Sequence, residues 1–226
     1  MEKKVESPTM INILKARKNN GLFSAIVVGE RGIGKSSYSI QTLYQVFRIL
    51  GYDQETSWNM ALDRMLFKIK DVINFLEESS QKKDKDIFIW DDAGVFAGGV
   101  RWLTHYKEMA LIESVCDTLR SCLYGLLLTV PDIRTLSRRL RSYDDYVVKI
   151  YYDKKQDEND SSNSRTARIY KKAMSPAGQS RIYKRYYDRF DIMLPDWVYR
   201  KYQLKRKKYG QEDLQHLKKM MNKDKS

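Results

Sequence analysis

The chain has 226 residues, 42% of them apolar and 31% charged, a composition that suits a water-soluble α/β domain with an appendage. No apolar run approaches the length of a membrane span and the first thirty residues lack a signal-peptide pattern, so we expect no membrane span and a cytoplasmic location. The two cysteines do not form a C-x-x-C pair and histidine occurs only twice, which argues against a disulfide framework and against zinc chemistry.

The net charge of +13 is concentrated near the end of the chain. Residues 1–164 hold 24 Lys and Arg against 23 Asp and Glu, whereas residues 165–226 hold 18 against 6. Such an excess of positive charge predicts an anionic partner, with a solvated basic surface as the simpler alternative.

Apolar strands alternate with helical patterns over the first 150 residues. A short apolar patch at Met10 to Leu14 suggests a turn of helix. Four near-continuous apolar runs predict buried strands, and "MLFKI" predicts a short one; the four runs are 22–28, 87–90, 125–130 and 146–152. Helical faces follow the first run, recur around Val72 to Leu76 and cover roughly 106–122. This alternation predicts an α/β fold with a mainly parallel sheet covered by helices on both faces.

The pattern changes after Asp153. A polar loop comes first, then two exposed strands, "TARIYKK" and "RIYKRYY", separated by "SPAG", and then a basic helix that begins at "LPDW". We therefore expect an N-terminal extension at 1–20, a core at 21–152 and a basic, tyrosine-rich C-terminal region at 153–226.

The stretch "VVGERGIGKSS" (27–37) satisfies the pattern G-x-x-x-x-G-K-[ST] between a strand and a helix. Glycines allow backbone N–H groups to point at phosphate oxygens, Lys35 can reach the β- and γ-phosphates, and Ser36 can ligate Mg²⁺. The stretch therefore predicts a nucleotide-binding loop composed of Gly29, Glu30, Arg31, Gly32, Ile33, Gly34, Lys35, Ser36 and Ser37.

Two acids end the second buried strand, in "IFIWDD". In a parallel sheet this end lies beside the predicted loop. We expect Asp91 to hold Mg²⁺ through water and Asp92 to orient the attacking water. Capping of the next turn is the alternative role for this pair.

The loop and the acid pair resemble the Walker A and Walker B motifs of P-loop NTPases, in the RecA-like division that has an extra strand between them. That division usually has glutamate where this chain has Asp92. "WDDAG" looks like the "DDLG" of helicase-loader ATPases of the DnaC and IstB type. The resemblance implies an ATP- and Mg²⁺-dependent hydrolase, with Glu30 and Glu113 as weaker candidates for the general base.

A third stretch, "LRSCLYGLLLTVPDIRTLSRRLRS" (119–142), resembles FtsK/HerA-type DNA-pumping ATPases and Zot-like phage proteins. The resemblance implies that Arg120 is a structural or trans-acting arginine and that Thr129 is the γ-phosphate sensor. Those families often place glutamine after the threonine, where this chain has Val130.

Arginines and tyrosines fill the remaining part of the chain. Arg134, Arg138, Arg139 and Arg141 suit an arginine finger, DNA contacts or a solvated face. Aromatic residues alternate with basic ones after residue 164, a pattern that suits contact with a nucleic-acid backbone or, alternatively, a small tyrosine core. They are Tyr170, Tyr183, Tyr186, Tyr187, Trp197, Tyr199 and Tyr202.

We therefore expect an oligomeric ATPase that moves or remodels DNA, without sequence-specific readout. A nucleotide or small-molecule kinase is the alternative, because the loop also suits kinases and the arginine-rich segment could clamp phosphate. A third possibility is an ATP-switched DNA-binding adaptor in which Asp92 makes hydrolysis slow.

Overall fold

The structure is a computed structural model that describes residues 7–93, 119–136, 140–141, 146–153, 163–174 and 180–223. The chain forms two units, Met1–Met193 and Leu194–Ser226. The second unit contains one basic helix, α6 (Asp196–Lys223). None of the helices in the described part of the chain is long and apolar enough to cross a bilayer.

A seven-stranded sheet organises the first unit, in the order β2-β3-β4-β1-β5-β6-β7. The five strands from β2 to β5 in this order run parallel, while β6 and β7 are antiparallel additions. The predicted α/β fold with a mainly parallel sheet is confirmed. The strands are β1 (Phe23–Val28), β2 (Met65–Leu66), β3 (Asp86–Trp90), β4 (Leu123–Val130), β5 (Tyr146–Tyr152), β6 (Ser164–Met174) and β7 (Ser180–Asp191).

Helices cover both faces of the parallel strands. The turn that was predicted at Met10 to Leu14 is part of an 11-residue helix, α1 (Pro8–Lys18), and its Met10 and Ile13 are buried. On the other face, α4 and α5 contribute to an apolar core with Ile26, Phe88 and Leu126. Within the described residues, the helices of the first unit are α1 (Pro8–Lys18), α2 (Lys35–Ile49), α3 (Gln54–Asp63), α4 (Ile69–Ser80) and α5 (Leu119–Cys122). Of the helix predicted at 106–122, only α5 lies within the described residues.

The strand order places β4 between β1, which leads into the glycine-rich loop, and β3, which leads into the acid pair. Every residue of these three strands is buried, which is why they appear in the sequence as continuous apolar runs. The extra strand that the resemblance implied is therefore present.

The sheet does not end at Tyr152. β6 pairs with β5 along seven residues, from Tyr146 opposite Lys171 to Tyr152 opposite Arg165, and β7 extends the same sheet. The alternation of tyrosine with basic residues correctly predicted strands here. It did not predict that these strands would join the sheet of the core.

Candidate nucleotide site

The glycine-rich loop connects the end of β1 to the first residue of α2. Gly34 has φ 104° and Gly32 has φ 78°. These are left-handed conformations that residues with a Cβ atom disfavour. A Cβ atom on Gly34 would also collide with Cγ2 of Ile192. The loop therefore needs glycine at this position for its conformation and for space, and it ends at a helix N-terminus, whose N–H groups attract anions.

Lys35 is the first residue of α2 and is only 8% exposed. Its ammonium group donates to the carbonyl oxygens of Gly29 at 2.9 Å and Glu30 at 2.8 Å. These bonds fold the side chain back along the loop. They place a buried positive charge beside the backbone that was predicted to surround a triphosphate.

Asp91 brings three elements together at the carboxyl edge of the sheet. Its side chain is buried, and its Oδ1 accepts hydrogen bonds from Ser36 Oγ at 2.8 Å and from Thr129 Oγ1 at 2.5 Å. Ser36 lies on α2 and Thr129 lies near the end of β4. Because the ends of adjacent parallel strands meet at one edge, the topology converts three distant sequence motifs into one cluster.

Thr129 links the two acids. Its hydroxyl donates to Asp91 and accepts from the backbone N–H of Asp92 at 2.9 Å. Asp92 has φ 51°, a left-handed conformation that aspartate tolerates better than most residues. The chain thus turns sharply after Asp91, and Thr129 fixes the direction of that turn.

The oxygens of Ser36 and Asp91 are hard donors, the type that Mg²⁺ prefers. Among the described residues there is no cluster of three or more His, Cys, Asp or Glu that could hold a metal by itself. Mg²⁺ is commonly bound through one or two protein groups together with water and substrate phosphates. The donor set therefore fits a magnesium ion that arrives with a phosphate ligand.

The predicted arginines lie in different places. Arg120 lies on α5, before β4 begins, and six strand steps of about 3.3 Å place the start of β4 about 20 Å from Thr129. Arg134 follows β4 in a short 3₁₀ turn, where it pairs with Asp132 at 2.6 Å and holds the pKa of that carboxyl at about 2. Arg138 and Arg139, like Glu113, lie outside the described residues.

The sequence did not reveal that the end of β7 packs on the helix that starts at Lys35. The centres of the Phe190 and Tyr38 rings lie 4.8 Å apart, and the Tyr38 hydroxyl donates to Asp188 Oδ2 at 3.3 Å. Gln41 donates to the carbonyl oxygen of Asp191 at 2.6 Å. One unusual feature was present in the sequence: Asp188 is the one acid in the basic run 181–189.

No protein-family model matches the chain. The uncharacterized protein B-251 of Sulfolobus spindle-shape virus 1 is 27% identical over 214 residues, which are 94% of this chain and 84% of that protein. The genome-packaging NTPase B204 of Sulfolobus turreted icosahedral virus 2, solved with ATP-γ-S and with AMPPCP, aligns at 12% identity with TM-scores of 0.40 and 0.41, over 74% and 73% of this chain and 98% of that one.

A RuvB variant from Thermotoga maritima aligns at 14% identity with a TM-score of 0.38. The alignment covers 66% of this chain and 45% of RuvB, so the chain spans less than half of that protein. Similarities of this size leave the function to be argued from the chain's own residues.

Proposed function

We propose that this protein is a Mg²⁺-dependent ATPase of the P-loop class that couples hydrolysis to binding, moving or remodelling DNA. The observation that carries the proposal is the convergence of the Ser36 and Thr129 hydroxyls on the buried carboxylate of Asp91, beside the loop that holds Lys35. The narrower resemblance to FtsK/HerA-type and Zot-like proteins is part of the same proposal.

The loop residues Gly29 to Ser37 would bind the phosphates. Their backbone N–H groups and the N-terminus of α2 favour negative charge, and Lys35 would turn from the Gly29 and Glu30 carbonyls to the β- and γ-phosphates. The same ammonium group can stabilise charge that develops during transfer of the γ-phosphoryl group.

Ser36 and Asp91 would hold the metal, which when bound neutralises charge on the β- and γ-phosphate oxygens. Asp92 would orient the attacking water and accept its proton. Thr129 would keep both acids in position through its two hydrogen bonds, and its place at the end of β4 also suits the γ-phosphate sensor that the resemblance implies.

Two further features support the proposal. Residues 165–226 carry the excess of basic residues and, among the described residues, most of the exposed tyrosines, which favours a role on DNA. Arg120 is at the amino end of β4, away from Thr129, which suits the structural or trans-acting role that the resemblance implies, and a homo-oligomer is part of the proposal. We keep the core at 21–152 and the basic region at 153–226 as proposed functional regions.

The decisive experiment measures phosphate release by the full chain with ATP and Mg²⁺, alone and with single- or double-stranded DNA. Hydrolysis that DNA stimulates and that Lys35→Ala strongly reduces is the expected result. Phosphate transfer to a small acceptor would identify a kinase. ATP binding with slow hydrolysis that DNA does not change would identify an ATP-switched adaptor.

A further inference from the structure

The strands β5, β6 and β7 have two unlike faces. Side chains alternate between the faces of a strand, so the register assigns each residue to one of them. On the inner face Val148, Ile169 and Asp188 are buried, and Asp188 contacts Tyr38 of α2. On the opposite face, at the same level of the sheet, Lys149, Arg168 and Tyr187 are exposed.

We call this opposite side the outer face, and its cross-strand rows combine cations with aromatic rings. Lys149, Arg168 and Tyr187 are direct neighbours in the register. The next row towards the tip of the β6–β7 hairpin pairs Tyr170 with Lys184. Tyr151 lies one row in the other direction. The outer face is defined by Lys149, Tyr151, Arg168, Tyr170, Lys184 and Tyr187.

A bulge in the hairpin helps to assemble this face. The register shifts between Ile169 and Tyr170, so that Tyr170 lies opposite Lys184 and Ile169 lies opposite Tyr186. The extra residue, Arg185, lets Lys184 and Tyr187 share one face although they are three positions apart. Without the bulge, strict alternation would place them on opposite sides.

The cations already contact the rings of this face. The Arg168 guanidinium lies 4.6 Å from the centre of the Tyr151 ring, and Lys149 Nζ lies 5.1 Å from the same centre. Tyr187 is 66% exposed. Within the described residues Asp191 is the acid that the register places on this face, at the far end of β7, where its carboxylate accepts from the Met193 N–H.

We propose that the outer face binds single-stranded DNA, with Tyr187 as a stacking platform and with Lys149, Arg168 and Lys184 as phosphate contacts. Same-face positions recur about every 7 Å along a strand, so successive nucleotides of an extended strand can meet successive rows. Stacking requires an unpaired base with a free ring face, which duplex DNA does not offer. The proposal rests on the DNA-linked part of the proposed function and specifies its substrate as single-stranded.

The test is fluorescence anisotropy of labelled oligo(dT) with the full-length protein, without nucleotide. Tyr187→Leu should weaken binding on the order of 10-fold, because one base–ring stack is lost. Tyr183→Leu is the matched control, since Tyr183 is 43% exposed on the same strand but lies opposite Lys171 on the other face. Because both side chains are exposed, neither substitution should change the melting temperature.

Charge provides a second, independent measurement. Arg168→Gln with Lys184→Gln should reduce the salt slope of binding by about 1.4, at about 0.7 for each phosphate contact on a single strand. The charge-matched control is Arg200→Gln with Lys207→Gln on α6, where both residues are exposed. We expect Tyr187→Leu to cause the same loss of oligo(dT) affinity in this control variant as in the wild type.

Equal losses for Tyr187→Leu and Tyr183→Leu would overturn the proposal, and so would tighter binding of a blunt duplex than of oligo(dT) at the same salt concentration. Binding that only the α6 substitutions weaken would place the contact on the helix and reject the outer face. The assay needs no hydrolysis, so Tyr187-dependent binding by a protein that does not hydrolyse ATP would reject the ATPase and keep the binding surface.

Discussion

Two regions of the sheet use related side chains in opposite ways. One is the carboxyl edge beside the glycine-rich loop, with Lys35, Asp91 and Thr129, which we call the loop edge, and the other is the outer face. At the loop edge Lys35, Asp91 and Thr129 are buried, and each makes hydrogen bonds to a defined atom. On the outer face Arg168 and Tyr187 are exposed. Burial fixes atoms in the positions that a chemical step requires, whereas exposed cations and rings suit a long, flexible ligand that is bound by many weak contacts.

Lys35→Ala should have the largest effect and should separate the two regions. Hydrolysis should fall roughly 10²–10³-fold, because the substitution removes the loop's charged contact to the phosphates. Binding of oligo(dT) should stay within error of the wild-type value, because Lys35 lies at the loop edge. Phosphate release and anisotropy measure the two effects, with Lys70→Ala on the exposed side of α4 as the control. Unchanged turnover in the folded variant would reject the ATPase.

Asp91→Asn and Asp92→Asn should differ from each other. Asp92→Asn should slow hydrolysis about 10²-fold or more with ATP affinity nearly unchanged, because it removes a proton acceptor but no phosphate contact. Asp91→Asn should raise the Mg²⁺ concentration that is needed for half-maximal activity. Magnesium titrations of hydrolysis and of binding of a fluorescent ATP analogue distinguish them, with exposed Asp63→Asn as the control. Normal hydrolysis by Asp92→Asn would point to Glu30 as the next candidate.

Thr129→Val tests whether the threonine orients the acid pair. The substitution preserves shape but removes the donor to Asp91 and the acceptor for the Asp92 N–H, and a buried group left unsatisfied costs about 1–3 kcal/mol of stability. We expect both stability and hydrolysis to decrease. Buried Thr42→Val, whose hydroxyl bonds only within α2 to the Tyr38 carbonyl, should be much milder. Equal effects of the two changes in chemical denaturation and phosphate release would argue against an orienting role.

The residues of the loop edge could be proposed from the sequence because their spacing is local. Eight consecutive residues contain the glycines, Lys35 and Ser36, and a short apolar strand leads directly into Asp91, so spacing alone indicated both halves. The strand that contains Thr129 was predicted. Its hydrogen bonds were not, because they depend on which strand lies between β1 and β3. Strand order is a property of the whole sheet, and here it came from the family resemblance.

The region after residue 153 was predicted less well because its contacts are distant in sequence. Tyr38 and Asp188 are 150 residues apart, and no periodicity in either segment indicates the other. A truncation at Arg181, which the basic charge suggests as a test of DNA binding, would remove β7 and with it Asp188 and Phe190, which contact Tyr38. Point substitutions on the outer face therefore test DNA binding more cleanly than a truncation.

Gly34→Ala tests whether the two regions are mechanically connected. The left-handed backbone at Gly34 makes a side chain unfavourable by about 1–3 kcal/mol, and the new Cβ would collide with Ile192 after β7. Ile192→Ala should relieve the collision but not the backbone strain. A double-mutant cycle of unfolding free energies should therefore give a coupling of about 0.5–3 kcal/mol. Additive effects would mean that the end of the hairpin does not constrain the loop.

The smallest effect that we predict is a pH dependence located at Asp188. Burial raises the pKa of its carboxyl above the ordinary 3.8, and the hydrogen bond from Tyr38 only partly opposes this shift. Between 3.8 and the raised value the folded chain binds more protons than the unfolded chain, so the free energy of unfolding falls as the pH rises. The stabilisation by protonated Asp188 is complete below pH 3.8 and is lost as the pH rises through the raised pKa.

Asp188→Asn isolates this contribution, because asparagine can still accept from Tyr38 but does not titrate. The melting temperature of the wild type relative to the variant should decrease from pH 3.8 upward and then become constant. A difference that increases with pH would mean that the ionised carboxylate is the stabilised form. Asp188 would then be an anchor between β7 and α2 that is strongest at neutral pH, and the hairpin would be held against the loop helix by charge instead of by the Tyr38–Phe190 ring contact.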